Sequence, residues 1–71
     1  MDEFKLLDVV ALTENLDSEG LRRGEVGTIV EQFKAGAFAV KFSDDSGRTY
    51  AMVALRPEQM IKLHFRKYEV A

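Results

Sequence analysis

The sequence has no cysteine and no tryptophan, and it has only one proline and one histidine among its 71 residues. Without cysteine it can form no disulfide, no thiolate zinc site and no cysteine nucleophile. The single histidine, His64, cannot form a metal site with a second histidine or a cysteine, because the sequence has neither. The sequence also places no carboxylate beside it that could orient it as a general base. We therefore expect no catalytic residue, no metal site and no cofactor.

Motifs typical of enzymes or of phosphate- and calcium-binding loops are also missing. None of the serines lies in a Gly-x-Ser-x-Gly turn. The glycines of Gly20–Gly24 lack the Gly-Lys-Ser/Thr ending of a phosphate-binding loop. Asp44 and Asp45 are better explained by a hairpin turn than by a calcium loop, because the spaced acidic ligands and the closing glutamate are absent. We expect that the chain is not an enzyme.

The chain also lacks a surplus of positive charge and a long hydrophobic run. Ten Lys and Arg residues stand against twelve Asp and Glu residues, a net charge of −2. Nucleic-acid-binding domains usually carry a positive surplus, so nucleic acid is not the expected partner. The longest apolar runs, such as residues 50–55, are far shorter than the roughly 20 residues that span a bilayer. The acidic start of the chain does not resemble a secretory signal, so we expect a soluble, cytoplasmic protein that binds no membrane.

Short β-type segments alternate with turn-forming residues along the whole chain. The five predicted strands are Leu6–Thr13, Glu25–Phe33, Ala37–Phe42, Arg48–Leu55 and Met60–Phe65. A long loop over residues 14–23 separates the first two strands, with Leu16 and Leu21 tucked inward. Tight hairpins at 34–36 and 43–47 follow, and Pro57 opens a helical turn before the last strand. This order predicts an all-β domain over residues 1–71, ordered from about 6 to 66: a five-stranded SH3-like small barrel.

Two other structures compete with this prediction. An OB-like barrel normally has a helix between its third and fourth strands, and residues 43–47 are too few to form one. A helix over Pro57–Lys67 is compatible with several residues there, but the alternation of Ile61, Leu63 and Phe65 favours a strand that faces inward at these positions. The predicted core contains Val10, Leu12, Val26, Val30, Phe38, Val40, Phe42, Val53, Ile61 and Leu63.

One segment of the second predicted strand has a recognisable glycine pattern. Gly24–Val30, preceded by Asp8–Leu12, resembles the Gly-x-x-Gly-x-Val signature of KOW-type SH3-like barrels, which occur in ribosomal proteins and transcription elongation factors. That resemblance implies RNA or protein binding. The curvature of any small barrel requires the same glycines, and we favour this structural explanation.

The chain as a whole resembles a family of small bacterial proteins catalogued as domain of unknown function 4926. The resemblance covers residues 6 to 64 and centres on a Leu-x-x-Gly-x-x-Gly-Thr-Ile-Val core that begins at Leu21. The segments that carry it are Asp8–Thr13, Gly20–Glu31, Phe38–Ser43, Gly47–Ala51 and Leu55–Gln59. It implies a non-enzymatic SH3-like barrel whose gene often lies beside another small gene, in an antitoxin-like arrangement. It implies no catalytic or ligand-binding residues.

Two surfaces are candidates for binding. Phe33, Tyr50 and Met52 are large residues for which the small core has no room, and together they could form an apolar partner face. The alternative is a basic face with interleaved aromatics near the C-terminus, formed by Lys62, His64, Arg66 and Lys67. We accordingly expect a non-catalytic module that binds a protein partner or forms a homodimer. The alternatives are a KOW-like nucleic-acid or ribosome-associated protein and a subunit of a larger complex.

Overall fold

The computed structural model describes residues 3–64, in which five antiparallel strands form one sheet. The strands are β1 (Val9–Leu12), β2 (Val26–Gln32), β3 (Phe38–Ser43), β4 (Thr49–Leu55) and β5 (Met60–Lys62). Two 3-10 turns, Asp17–Glu19 and Pro57–Gln59, are the only helical elements in this part of the chain. The predicted all-β class is confirmed, and so is the helical turn before the last strand. The sheet order is β4-β3-β2-β1-β5, so β4 and β5 are the edge strands of the barrel-like sheet within residues 3–64.

The core lies on one side of the bent sheet, and β3 supplies its centre. Phe38, Val40 and Phe42 are buried on the same face of β3, as the alternation predicts. The other buried members of the core cluster are Val10, Leu12, Leu21, Ile29, Leu55 and Met60. Val53 is half-buried and packs against this cluster, whereas Val30 is half-buried at a register shift in the pairing of β2 with β3.

Side-chain oxygens and glycine fix the β3–β4 hairpin. One carboxylate oxygen of Asp44 accepts hydrogen bonds from the amides of Ser46 and Arg48, both at 2.9 Å. Gly47 has a φ of +82°, a left-handed conformation that side chains rarely adopt. The hairpin therefore forms where the sequence predicts it.

The long first loop closes on itself before it joins β2. The amide of Leu16 donates to the carbonyl of Leu21 at 2.8 Å, and the amide of Leu21 donates back to Leu16 at 3.1 Å. Leu21 is only 2% exposed, and Leu16 packs partly against the core. Both leucines thus point inward, as predicted.

Two predicted core residues instead face outward. Val26 is 46% exposed because its neighbour Gly27 takes the inward position, opposite Val10 on β1. Ile61 is 54% exposed because Met60 is the β5 residue that lies opposite the buried Leu12. The sequence predicts that Ile61 faces inward and Lys62 outward, and the structure shows the reverse. Leu63 is half-buried beyond the end of β5, and Phe65 lies outside the described residues.

Candidate functional site

Val26 and Ile61 point away from the core and form part of an apolar patch across three strands. In the register of the sheet, Ala11 lies opposite Val26 on one side and opposite Ile61 on the other, so the three side chains form one row. Val9, two residues before Ala11, extends the patch along β1. We call Val9, Ala11, Val26 and Ile61 the β1 face.

Sequence reasoning missed the β1 face because it assigned Val26 and Ile61 to the core. One signal could have revealed half of it. Where two strands approach so closely that only glycine fits on the inner face, the residues before and after that glycine face outward. If Gly27 is assigned to the inside of the bend, Val26 falls on the outside.

The turn that leads into β1 exposes two more apolar side chains. The amide of Asp8 donates to the carbonyl of Lys5 at 3.1 Å and closes a four-residue turn around Leu6 and Leu7. Leu7 is 75% exposed and has a φ of +71°. The third position of such a turn normally holds glycine or asparagine, and a leucine there costs about 1 kcal/mol. A large apolar residue kept both exposed and strained is a feature found at binding sites.

Lys62 of the candidate basic face is engaged by an acidic neighbour. Its ammonium group lies 3.3 Å from the Asp8 carboxylate, and it also donates to the carbonyl of Glu3 at 3.2 Å. The Lys5 amide, which donates to the same carboxylate at 2.8 Å, and then the Lys62 side chain hold the pKa of Asp8 below its usual value. The side chain of Lys62 thus turns toward Asp8 and is only 22% exposed.

Two of the four residues of the candidate basic face, Lys62 and His64, lie in the part of the chain that the structure describes. His64 is exposed two residues beyond the end of β5. Arg66 and Lys67 lie outside the described residues.

The structure separates the three residues of the candidate partner face. Phe33 lies beside the start of β3, where its amide donates to the Ala37 carbonyl at 2.8 Å. Tyr50 lies at a register shift near the other end of β3. The rise per residue of a strand separates it from Phe33 by about 20 Å along β3. Met52 is paired with Lys41, on the face opposite the core. All three are exposed, but they do not form one patch.

Tyr50 instead caps one end of the core. Its ring lies 6.4 Å from the ring of the buried Phe42. Its hydroxyl donates a 2.7 Å hydrogen bond to Glu25, which also accepts one from the amide of Arg22 at 2.6 Å. The Tyr50 hydroxyl and then the Arg22 amide lower the pKa of Glu25, while the same bond to Glu25 raises the pKa of Tyr50.

This pair predicts a measurable change in titration for the Tyr50→Phe variant. The pKa of Glu25 should rise toward its usual value, because its main hydrogen-bond donor is gone while the Arg22 amide remains. Since the pKa of Glu25 is lowered in the folded state, its contribution to stability is present above its unfolded pKa and is lost as the pH falls through the folded one. The raised pKa of Tyr50 makes its contribution disappear as the pH rises through that value.

Carbon-detected NMR of the Glu25 carboxyl against pH, in the wild type and in Tyr50→Phe, measures this change. The Asp8 carboxyl, which Tyr50 does not contact, is the internal control and should titrate alike in both proteins. An unchanged Glu25 titration would contradict the hydrogen bond.

An open groove of about 640 Å³ lies where the N-terminal segment crosses the core. Its lining residues are Glu3, Phe4, Gln32, Phe38, Pro57, Glu58, Met60, Ile61 and Lys62. The rings of Phe4 and Phe38 lie 5.8 Å apart at this groove. The groove reaches Ile61 and is therefore continuous with the β1 face.

Residues 3–64 also lack two kinds of feature. No three His, Asp or Glu side chains cluster there in a way that could hold a metal ion. No helix in that range has the length and apolar character required to cross a membrane.

Comparison with known protein families gives a match over most of the chain. Neither the curated proteins nor the solved structures contain a significant match to the chain. A family described as "domain of unknown function (DUF4926)" matches residues 6–62, which include all five strands. The glycine-rich core of the predicted resemblance, from Leu21 to Val30, lies within this match. The chain belongs to the DUF4926 family.

Proposed function

We propose that the chain is a non-catalytic module that binds a protein partner through the β1 face. The observation that carries this proposal is the row formed by Val26, Ala11 and Ile61, in which two branched apolar side chains remain about half exposed. Grouped apolar residues on the surface of a small domain are typical of an interaction site.

Energetic considerations support this choice. Removing the exposed half of Val26 and of Ile61 from water contributes about 1 kcal/mol each. Leu6 and Leu7, which lead into β1, expose 55% and 75% of their surface and add to the apolar area available to a partner. The β-branched side chains of Val26 and Ile61 have few rotamers, so this chain loses little side-chain entropy when a partner covers them.

The identity of the partner is the finer part of the proposal. The family resemblance implies a small protein encoded by a neighbouring gene, toward which this chain would act like an antitoxin. The nucleic-acid alternative receives less support, because Lys62 of the basic face is held by Asp8.

A double variant tests the β1 face. Val26→Ser with Ile61→Ser should abolish binding of the co-expressed neighbouring gene product while the chain stays folded, because both side chains are exposed and a polar group there remains in water. Isothermal titration calorimetry measures binding, and circular dichroism verifies the fold.

The matched control is Phe33→Ser with Met52→Ser, which removes two exposed apolar side chains that lie off the β1 face. It should bind like the wild type. Loss of binding in this control, with the β1-face variant unaffected, would overturn the proposed surface.

A further inference from the structure

Among residues 3–64, strand β4 is an open edge of the sheet, and it lacks most of the devices that usually protect one. It is seven residues long and contains no charged residue and no proline between Thr49 and Leu55. Natural edge strands are usually short, charged, bulged or covered, because an open edge pairs with other chains. The opposite edge, β5, follows this rule, since it has three residues and includes Lys62. β4 has only the irregularity beside Tyr50, at its beginning.

The register shows which backbone groups of β4 point to the open side. The amide of Phe33 donates to Ala37, so odd-numbered residues at the start of β3 direct their polar groups toward β2. In an antiparallel ladder the direction alternates, so Phe38 and Val40 direct theirs toward β4. Their partners on β4 are Leu55 and Val53.

The residues between these partners therefore point the other way. The N–H and C=O groups of Met52 and Ala54 face the open edge, and no described residue outside β4 hydrogen-bonds to either of them. These groups are spaced symmetrically about Val53.

We propose that this edge pairs with the same edge of a second copy of the chain, antiparallel and centred on Val53. In that register Met52 lies opposite Ala54 of the second copy, and Ala54 lies opposite Met52 of the second copy. Each pair exchanges two backbone hydrogen bonds, so all outward groups of the two residues are satisfied.

Self-complementarity is the reason to choose a second copy as the occupant. Met52 is 61% exposed and would lie beside the small side chain of Ala54, which leaves space for it. No charge within β4 meets its own copy, because the nearest charged residues, Arg48 and Arg56, lie outside the strand. A twofold contact of this kind is closed, since each copy uses its one long edge.

The length of the pairing is limited by the residues that follow β4. The amide of Arg56 already donates to the side chain of Gln59 at 2.9 Å, and Pro57 has no N–H. The contact is therefore small, and we expect a reversible dimer whose population depends on protein concentration. It involves the sheet edge opposite β5 and does not depend on the partner proposed for the β1 face.

The decisive variant is Ala54→Pro. It removes the outward N–H without removing a hydrogen bond to β3, and proline is compatible with an edge position of this kind. By symmetry the dimer loses two hydrogen bonds, so its dissociation constant should rise at least about tenfold. Ala54→Ser keeps the N–H and is the matched control. Sedimentation equilibrium across a hundredfold range of concentration measures both, with Val26→Ser plus Ile61→Ser included and expected to dimerise like the wild type.

Amide hydrogen exchange gives a second measurement that needs no variant. In the dilute wild type the amides of Val53 and Leu55 should be protected and those of Met52 and Ala54 should exchange rapidly. At high concentration the latter two should become protected. A wild type that stays monomeric, a dimer unaffected by Ala54→Pro, or protection of Met52 and Ala54 that does not depend on concentration would overturn the proposal.

Discussion

Replacing Gly27 by valine should destabilise the fold by about 3 kcal/mol. A Cβ atom built at Gly27 lies 2.7 Å from a side-chain carbon of Val40 and 2.9 Å from the backbone oxygen of Lys41. The second contact is with backbone, which cannot move aside without disturbing the pairing of β2 with β3. Since a domain of this size is stabilised by about 4–11 kcal/mol in total, the loss should appear as a large fall in Tm and in the urea midpoint.

A substitution at a second glycine distinguishes the cost of steric crowding from the cost of a left-handed backbone conformation. Gly36 has a φ of +88°, and a Cβ built there meets no atom within 4 Å. Gly36→Ala should therefore cost only about 1 kcal/mol, from the strained backbone alone. A Gly27→Val protein that melts with the wild type, or no earlier than Gly36→Ala, would show that the space around Gly27 is not limiting.

Leu21→Ala should cost about 2–5 kcal/mol, the second large effect. Leu21 is the one residue of the 14–24 loop that is fully part of the core, and its removal leaves a cavity that the loop alone must fill. Chemical denaturation should show a lower midpoint with an unchanged slope, which indicates lost stability without a change in the surface exposed.

The same substitution at an exposed position provides the control. Leu7→Ala removes a side chain that is 75% exposed and leaves the left-handed backbone as strained as before. Its effect should remain within about 0.5 kcal/mol. Equal losses in Leu21→Ala and Leu7→Ala would contradict the burial of Leu21.

Local patterns were sufficient to predict much of this fold. The alternation of Phe38, Val40 and Phe42 identified the central strand, because the residues that fill one face of a strand recur at every second position. Turn residues identified both hairpins, since Asp44 and Gly47 act within their own loop. Pro57 likewise predicted a turn that depends only on its neighbours.

Errors arose where the answer depends on distant strands. Ile61 and Met60 are both apolar, and only the pairing with Leu12, nearly fifty residues away, decides which one is buried. Tyr50 and Met52 have the spacing of one face, but Tyr50 lies at the register shift beside Ser43 and its ring contacts the buried Phe42, whereas Met52 is paired with Lys41. The residues of the candidate partner face lie apart because Phe33 is beside the start of β3 and Tyr50 is near its other end. Predicting the β1 face would have required knowing that Gly27 faces inward.

The reciprocal hydrogen bonds between Leu16 and Leu21 also have a consequence for evolution and engineering. They separate the loop tip at Asp17–Gly20 from the sheet, and no residue of this tip is buried. The closure entropy of a loop grows slowly with its length, by about 0.6 kcal/mol for each doubling. This tip is therefore the point at which relatives can accumulate insertions, and at which an epitope or a fluorophore site can be added, while the fold stays the same.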